Sequence, residues 1–112
     1  DHYVFRGYQV DKKNRPVFLY EIGGIQVRDR IVPTASQGLT RSLILKGPIP
    51  KDFYHRIISG INIIKISKNV YEADKTFKII VPANSKMSIS QQGNKQVLLI
   101  QLTGDLQYDL SW

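Results

Sequence analysis

The side chains that most often carry catalysis or bind metals are scarce in this sequence. Its 112 residues include two histidines, His2 and His55, and no cysteine. A transition-metal site would have to join both histidines, 53 positions apart (55 − 2), to distant carboxylates. His55 lies in an alternating segment typical of a strand, and we interpret it as a solvent-facing or rim residue, the alternative being a proton switch or ligand. We therefore predict no metal and no cofactor.

Paired carboxylates are the next chemistry to consider, because a glycosidase needs two that face each other across a cleft. Glu21 and Asp29 flank a Gly23-Gly24 link that suits a tight hairpin. The register of such a hairpin places Asp29 opposite Phe18, so the two acids do not face each other. We expect Glu21 to pair diagonally with Arg28 instead.

Motifs for nucleophilic catalysis and phosphate binding are also absent from the sequence. It contains no G-x-S-x-G elbow, no glycine-rich loop that precedes a helix, and no acidic loop of the EF-hand type. We predict that the chain is not an enzyme. An enzyme that uses His55 with a nearby carboxylate is the weakest of the three alternatives considered.

Apolar residues alternate with polar ones through most of the chain, which is the pattern of half-buried strands. Clear examples are residues 25–31 and 106–112, and turn residues such as Gly23-Gly24 and Pro82-Ala83-Asn84 recur at short intervals. No segment keeps a helical period. We predict an all-β, antiparallel two-sheet β-sandwich of about nine or ten short strands, with a closed β-barrel as the alternative. The length fits one domain over residues 1–112, which we expect to be part of a longer chain.

The charge is strongly positive, with 16 Lys and Arg against 9 Asp and Glu and a net charge of +7. The first 56 residues carry +5 (10 − 5) and the remainder +2 (6 − 4). This balance favours an acidic partner such as a neighbouring domain. We do not expect nucleic acid, because no nucleic-acid-binding motif accompanies the charge. The candidate ligand or docking face comprises Arg6, Tyr8, Arg28, Arg30, Arg41, Tyr54 and His55.

Membrane and export signals are not visible in the sequence. The longest apolar runs have about four residues, against the roughly 20 that a spanning helix needs. The first residues are Asp1-His2-Tyr3 rather than a basic and then apolar leader. We expect no membrane span.

The first 45 residues contain a recognisable pattern, F-x-G-Y-x-x-D from Phe5, then R-P-x-F-x-Y from Arg15, a glycine hairpin, and G-L-x-R from Gly38. This pattern resembles a β-rich module of large exported bacterial proteins that also carry c-type cytochrome domains or glucose/sorbosone dehydrogenase-like domains. The resemblance implies a periplasmic or extracellular accessory domain. It carries no catalytic or cofactor residue over to this chain.

Two functional interpretations follow. The first is a non-catalytic module that packs against neighbouring domains of its parent protein, which predicts an apolar or aromatic patch on one surface. The second is a carbohydrate-binding module for polysaccharide. That second interpretation requires two or three coplanar exposed aromatic rings, and the candidates are Tyr3, Tyr8, Tyr54, Tyr71 and Trp112.

Overall fold

The computed structural model describes residues 3–10 and 15–112, and these residues form eleven β-strands and no helix. Alternating apolar residues and β-branched side chains make strands of four to nine residues, each ended by a turn. The strands are β1 (Tyr3–Val10), β2 (Pro16–Ile22), β3 (Ile25–Pro33), β4 (Gly38–Lys46), β5 (Tyr54–Gly60), β6 (Ile63–Ser67), β7 (Val70–Ala73), β8 (Phe77–Ile80), β9 (Met87–Gln92), β10 (Lys95–Gln101) and β11 (Leu106–Ser111).

The strands form two antiparallel sheets. The large sheet has eight strands in the order β1-β2-β3-β4-β11-β8-β7-β6, and the small sheet has three in the order β5-β10-β9. Neither sheet closes on itself, so the all-β sandwich prediction is confirmed and the barrel alternative is wrong. The described residues form eleven strands rather than nine or ten, because the short segment β7 pairs on both sides as a strand of its own.

Glycines shape the first hairpins as their positions predict. Gly23 and Gly24 have φ values of 55° and 84°, which a two-residue hairpin link of this kind requires. The resulting register places Asp29 opposite Phe18, as expected. Gly7, with φ 118°, lies where the pairing of β1 with β2 shifts by one residue, in a β-bulge.

The hydrophobic core lies between the inner face of the large sheet and the small sheet. Its four largest fully buried side chains are Ile25, Leu43, Ile79 and Leu98. The first three alternate with exposed neighbours on their strands, and Leu98 comes from the middle strand of the small sheet. Burying a side chain of this size stabilises the fold by about 1.5–3 kcal/mol. The sandwich thus rests on apolar contacts that alternation predicts.

The opposite, outer face of the large sheet is not covered by the small sheet. Along β3 the burial alternates strictly, so that Arg28 and Arg30 are exposed while Val27 and Asp29 are buried. Within the described ranges, no helix has the length and apolarity needed to cross a membrane.

Candidate functional site

A partly buried ion pair lies on the inner face of the large sheet, with the Arg41 side chain 26% exposed and that of Asp29 6% exposed. Asp29 of β3 is 4% exposed as a whole residue, and Arg41 of β4 binds both of its carboxylate oxygens. Arg41 Nε donates to Oδ1 at 3.0 Å and Nη2 donates to Oδ2 at 2.6 Å. The Tyr20 hydroxyl donates to the same Oδ2 at 3.2 Å. Two parallel charge-assisted bonds fix both side chains in one geometry.

Two further side chains extend this pair to the small sheet. Arg41 Nη1 donates to the Tyr108 hydroxyl at 3.4 Å, and the same hydroxyl lies 3.1 Å from Nε2 of His55 on β5. The His55 and Tyr108 rings lie 5.8 Å apart between centroids, tilted by 45°. Because a guanidinium can only donate, the hydroxyl accepts from Arg41 and its own proton is available to His55. We call the five residues of this arrangement the interior network: Tyr20, Asp29, Arg41, His55 and Tyr108.

The interior network shifts the pKa values of its members. Burial, followed by the positive charge of Arg41, lowers the pKa of His55 from 6.5 to about 4. Burial also opposes the charge on Arg41, but its bond to Asp29 and the nearby charges raise its pKa overall. The pKa of Tyr108 is raised, chiefly by burial. At neutral pH the network therefore holds a neutral imidazole beside a paired guanidinium and carboxylate.

The interior network does not have the geometry of a hydrolytic site. Among the described side chains, His55 bonds to Tyr108 and not to a carboxylate. Two hydrogen bonds, one between Arg41 and Tyr108 and one between Arg41 and Asp29, lie between His55 and the Asp29 carboxylate. The cavity beside His55 has a volume of about 40 Å³, well below the roughly 300–1,000 Å³ of ligand clefts. Across the described residues, no cluster of three His, Asp or Glu side chains has a metal-binding arrangement.

The position of His55 corrects the interpretation of it as a solvent-facing or rim residue. On β5 the neighbours Tyr54 and Arg56 are exposed, whereas His55 is half-buried and turned towards the large sheet. The sequence did not predict the interior network as a unit, although the signal for its charged pair is present in the sequence. Asp29 and Arg41 occupy positions in phase with the buried residues of their strands, where opposite charges on adjacent strands indicate a buried pair.

The outer face of the large sheet carries a groove of about 810 Å³. It crosses β2, β3, β4 and β11, and its cationic side chains are Arg15, Arg28 and Arg30. A second hollow of about 420 Å³ adjoins it and shares Arg28 and Ile44 with it. We call the two together the arginine groove. The full lining consists of Arg6, Arg15, Val17, Leu19, Tyr20, Glu21, Gln26, Val27, Arg28, Arg30, Ser42, Leu43, Ile44, Lys46, Asp105, Leu106 and Gln107.

The structure divides the seven predicted face residues among different surfaces. Arg6, Arg28 and Arg30 lie together on the outer face, where Arg6 Nη2 pairs with Glu21 Oε2 at 3.1 Å. Glu21 therefore pairs across β1 and β2 with Arg6, and the expected diagonal pair with Arg28 is not formed. Arg6 is two residues after Val4, the β1 residue directly opposite Glu21, so alternation places it on the face of Glu21.

Three of the remaining four residues do not join that surface. Arg41 and His55 belong to the interior network, and Tyr54 is exposed on the small sheet. The side chain of Tyr8 lies outside the described part of the chain.

Among the candidate aromatic rings that the structure describes, Tyr54 and Trp112 are exposed, and they lie towards opposite ends of β4. Trp112 follows β11 beside Gln37, at the end of the sheet where β4 begins. Tyr54 lies next to Leu45, at the end where β4 finishes. Tyr71, another candidate for a sugar platform, is 6% exposed and belongs to the core. The side chain of Tyr3 lies outside the described part of the chain, as does that of Tyr8.

Exposed isoleucines cluster at the β6 end of the large sheet. Ile64, Ile66 and Ile80 are 45%, 48% and 44% exposed. Ile64 and Ile80 lie on the outer face of β6 and β8, with Val70 directly opposite Ile80, and Ile66 occupies a bulge in β6. We call these four residues the isoleucine patch.

Comparison with known proteins gives no further assignment. No protein-family model matches the chain, and no match was found among the curated proteins or the solved structures.

Proposed function

We propose that the chain is a non-catalytic docking module that packs against a neighbouring domain of an exported multidomain bacterial protein linked to redox or carbohydrate processing. The observation that carries the docking role is the isoleucine patch. Contiguous exposed apolar side chains are costly in water and mark surfaces that bind other proteins. The exported setting rests on the resemblance of residues 5–43 to accessory modules of such proteins.

The chemistry of the partner is argued from the net charge of the chain. Next to the isoleucine patch the charges balance: Lys68 and Lys78 are exposed, while Glu72 lies directly opposite Ile64 and Asp109 directly opposite Ile80. The net charge of +7 favours an acidic partner surface with an apolar centre. The occupant we infer is therefore an acidic face of an adjacent folded domain.

The non-catalytic part of the proposal is supported by the interior network. Its charged groups are bonded to one another, and the adjoining cavity has no room for a substrate. A network of this kind fits the role of fixing how the two sheets pack.

A titration tests the docking role. The chain is mixed with each neighbouring domain encoded in the same reading frame, and backbone amide shifts are followed by NMR. We expect shifts in β6, β7 and β8 with one of these domains. Ile80→Glu is expected to weaken that binding at least ~10-fold, because a buried unpaired carboxylate opposes an apolar contact.

The matched control is Ile89→Glu, since Ile89 is 39% exposed on β9 of the small sheet. It is expected to leave binding unchanged. Equal losses in the two variants, or no shift with any neighbouring domain, would overturn the docking proposal.

A further inference from the structure

The arginine groove is the second feature of the outer face that no fold requirement explains. Its lining carries five cationic groups and two carboxylates, an excess of +3 (5 − 2). Arg28 is the residue shared by both hollows, and within the described part of the chain its guanidinium makes no hydrogen bond or ion pair. Arg28 thus presents an unused planar donor at the centre of a concave surface.

The spacing of the cations suits a polymer with repeated anionic groups. Arg28 and Arg30 are two residues apart on one face of β3, which separates their Cα atoms by roughly 7 Å. Arg30 already has an interaction within the chain, so Arg28 supplies the unused guanidinium and Arg30 adds positive charge beside it. A guanidinium binds a carboxylate through two parallel hydrogen bonds, which a lysine cannot do. An extended chain that carries carboxylates at regular intervals can therefore be held along this strand.

The rest of the lining favours a carbohydrate over single-stranded nucleic acid. Among the described residues that line the large hollow none is aromatic, whereas unpaired bases stack on a platform of aromatic rings. Its neutral polar groups are Ser42 and Gln107, whose side chains are joined by a hydrogen bond of 3.2 Å from the Ser42 hydroxyl to the Gln107 amide oxygen. The amide nitrogen of Gln107 and the oxygen of Ser42 remain available to hydroxyl groups.

The lining of the arginine groove also has an apolar part, which suits the C–H faces of a sugar. Ile44, which is 50% exposed, lies between the polar groups and offers surface to the C–H faces of a sugar ring, and the buried Val17 lies beneath the groove. The volume of about 810 Å³ lies within the range of clefts that hold small ligands. A groove with arginines, neutral hydrogen-bonding groups and an aliphatic floor has the features that a uronic-acid unit requires.

From these observations we propose that the arginine groove binds an acidic polysaccharide whose sugar units carry carboxylates. This site is distinct from the isoleucine patch, which lies at the other end of the sheet. It also differs from the aromatic platform expected from the sequence, since it uses charge and hydrogen bonds in place of ring stacking. The two proposals for the outer face can therefore fail independently.

Affinity electrophoresis in gels containing polygalacturonate tests the proposal. We expect retardation in these gels, little in neutral dextran, and a weaker effect as salt rises. Arg28→Gln is expected to reduce the affinity at least ~10-fold, because it removes a charge-assisted bidentate contact. Arg56→Gln, which removes an exposed cation from β5 of the small sheet, is the matched control and should bind as the parent chain does.

Two competing polymers test whether the groove prefers the carboxylates of a polysaccharide to those of a peptide or to the phosphates of a nucleic acid. Poly-glutamate and a thymidine oligonucleotide are each used to displace the chain from polygalacturonate. We expect both to be at least several-fold weaker competitors than soluble polygalacturonate. Equal or stronger competition by either one, unchanged binding of Arg28→Gln, or no retardation at all would overturn the proposal. Ile80→Glu should bind polygalacturonate normally, so failure of the docking role leaves this result intact.

Discussion

At the scale of single residues, the partly buried pair of Asp29 and Arg41 is the least expected feature of the sandwich. Removing two charges from water costs several kcal/mol for each ion, and only good geometry and additional hydrogen bonds offset that cost. Here the contact is bidentate, and Tyr20 and Tyr108 bond to the two partners. An apolar pair of the same volume would suffice for stability, so we infer that these charges specify how the strands align.

His55 gives this arrangement a measurable pH dependence. Its pKa is about 4 in the folded protein and 6.5 as an ordinary histidine, so between these values the unfolded chain binds more protons than the folded one. Stability therefore falls as pH decreases from 6.5 to 4 and is unaffected by this group above 6.5. A shift of this size corresponds to a loss of about 3 kcal/mol, measured by urea unfolding at several pH values.

A variant isolates the contribution of this histidine. His55→Gln keeps a polar side chain at the position but does not titrate, and its stability should change less between pH 6.5 and 4 than that of the parent chain. Carboxylates titrate in both proteins and cancel in the comparison. Identical pH profiles would contradict the account of His55.

The residues of the interior network also mark the limit of what the sequence predicts. The register of the glycine hairpin correctly placed Asp29 opposite Phe18, and alternation put Arg28 and Arg30 on one face. It gave no reason to treat His55 as interior, because an imidazole is tolerated on either face of a strand. Its orientation depends on Tyr108, which lies 53 positions away on the other sheet, and such contacts have no local signal.

At the scale of strands, the pairing of β4 with β11 depends on a close approach at Gly38. A Cβ atom added there would lie 2.8 Å from the carbonyl oxygen of Leu110 and 3.1 Å from Oγ1 of Thr34. We expect Gly38→Ala to destabilise the fold by ~1–3 kcal/mol, because backbone must move to accommodate the methyl group. Thermal unfolding measures this effect.

Gly104 provides the control for that substitution. An added Cβ at this turn glycine has no heavy atom within 4 Å. Gly104→Ala should change the stability by less than ~0.5 kcal/mol. Similar melting temperatures for the two variants would show that the close approach at Gly38 does not determine the stability of the fold.

The edge strand β6 of the large sheet is exposed but carries features that hinder its pairing with another strand. Unpaired edge strands invite association, and proteins counter this with lysines and bulges. In β6 both are present, as Lys65 and the irregular register around Ile66. The edge therefore does not favour sheet extension, and we place the contact on the outer face formed by Ile64 and Ile80. Sequence reasoning located these strands but could not tell which isoleucines remain uncovered, since that depends on the small sheet's position.

At the scale of the whole molecule, the two sheets have different roles. The small sheet covers the inner face of the large sheet and closes the core, whereas the outer face carries both the isoleucine patch and the arginine groove. The positive charge predicted to favour an acidic partner is concentrated in part on this face, where the groove alone accounts for an excess of +3 (5 − 2). The outer face is therefore the surface through which we expect the module to act.

Hydroxyl-radical footprinting of the intact parent protein tests the docking claim most directly. Side-chain oxidation of Ile64, Ile66 and Ile80 is compared between the parent protein and this chain alone, with Ile89 of the small sheet as the internal reference. The account predicts that oxidation of the three patch residues falls several-fold in the parent protein while that of Ile89 is unchanged. Equal oxidation of the patch in both proteins would contradict it.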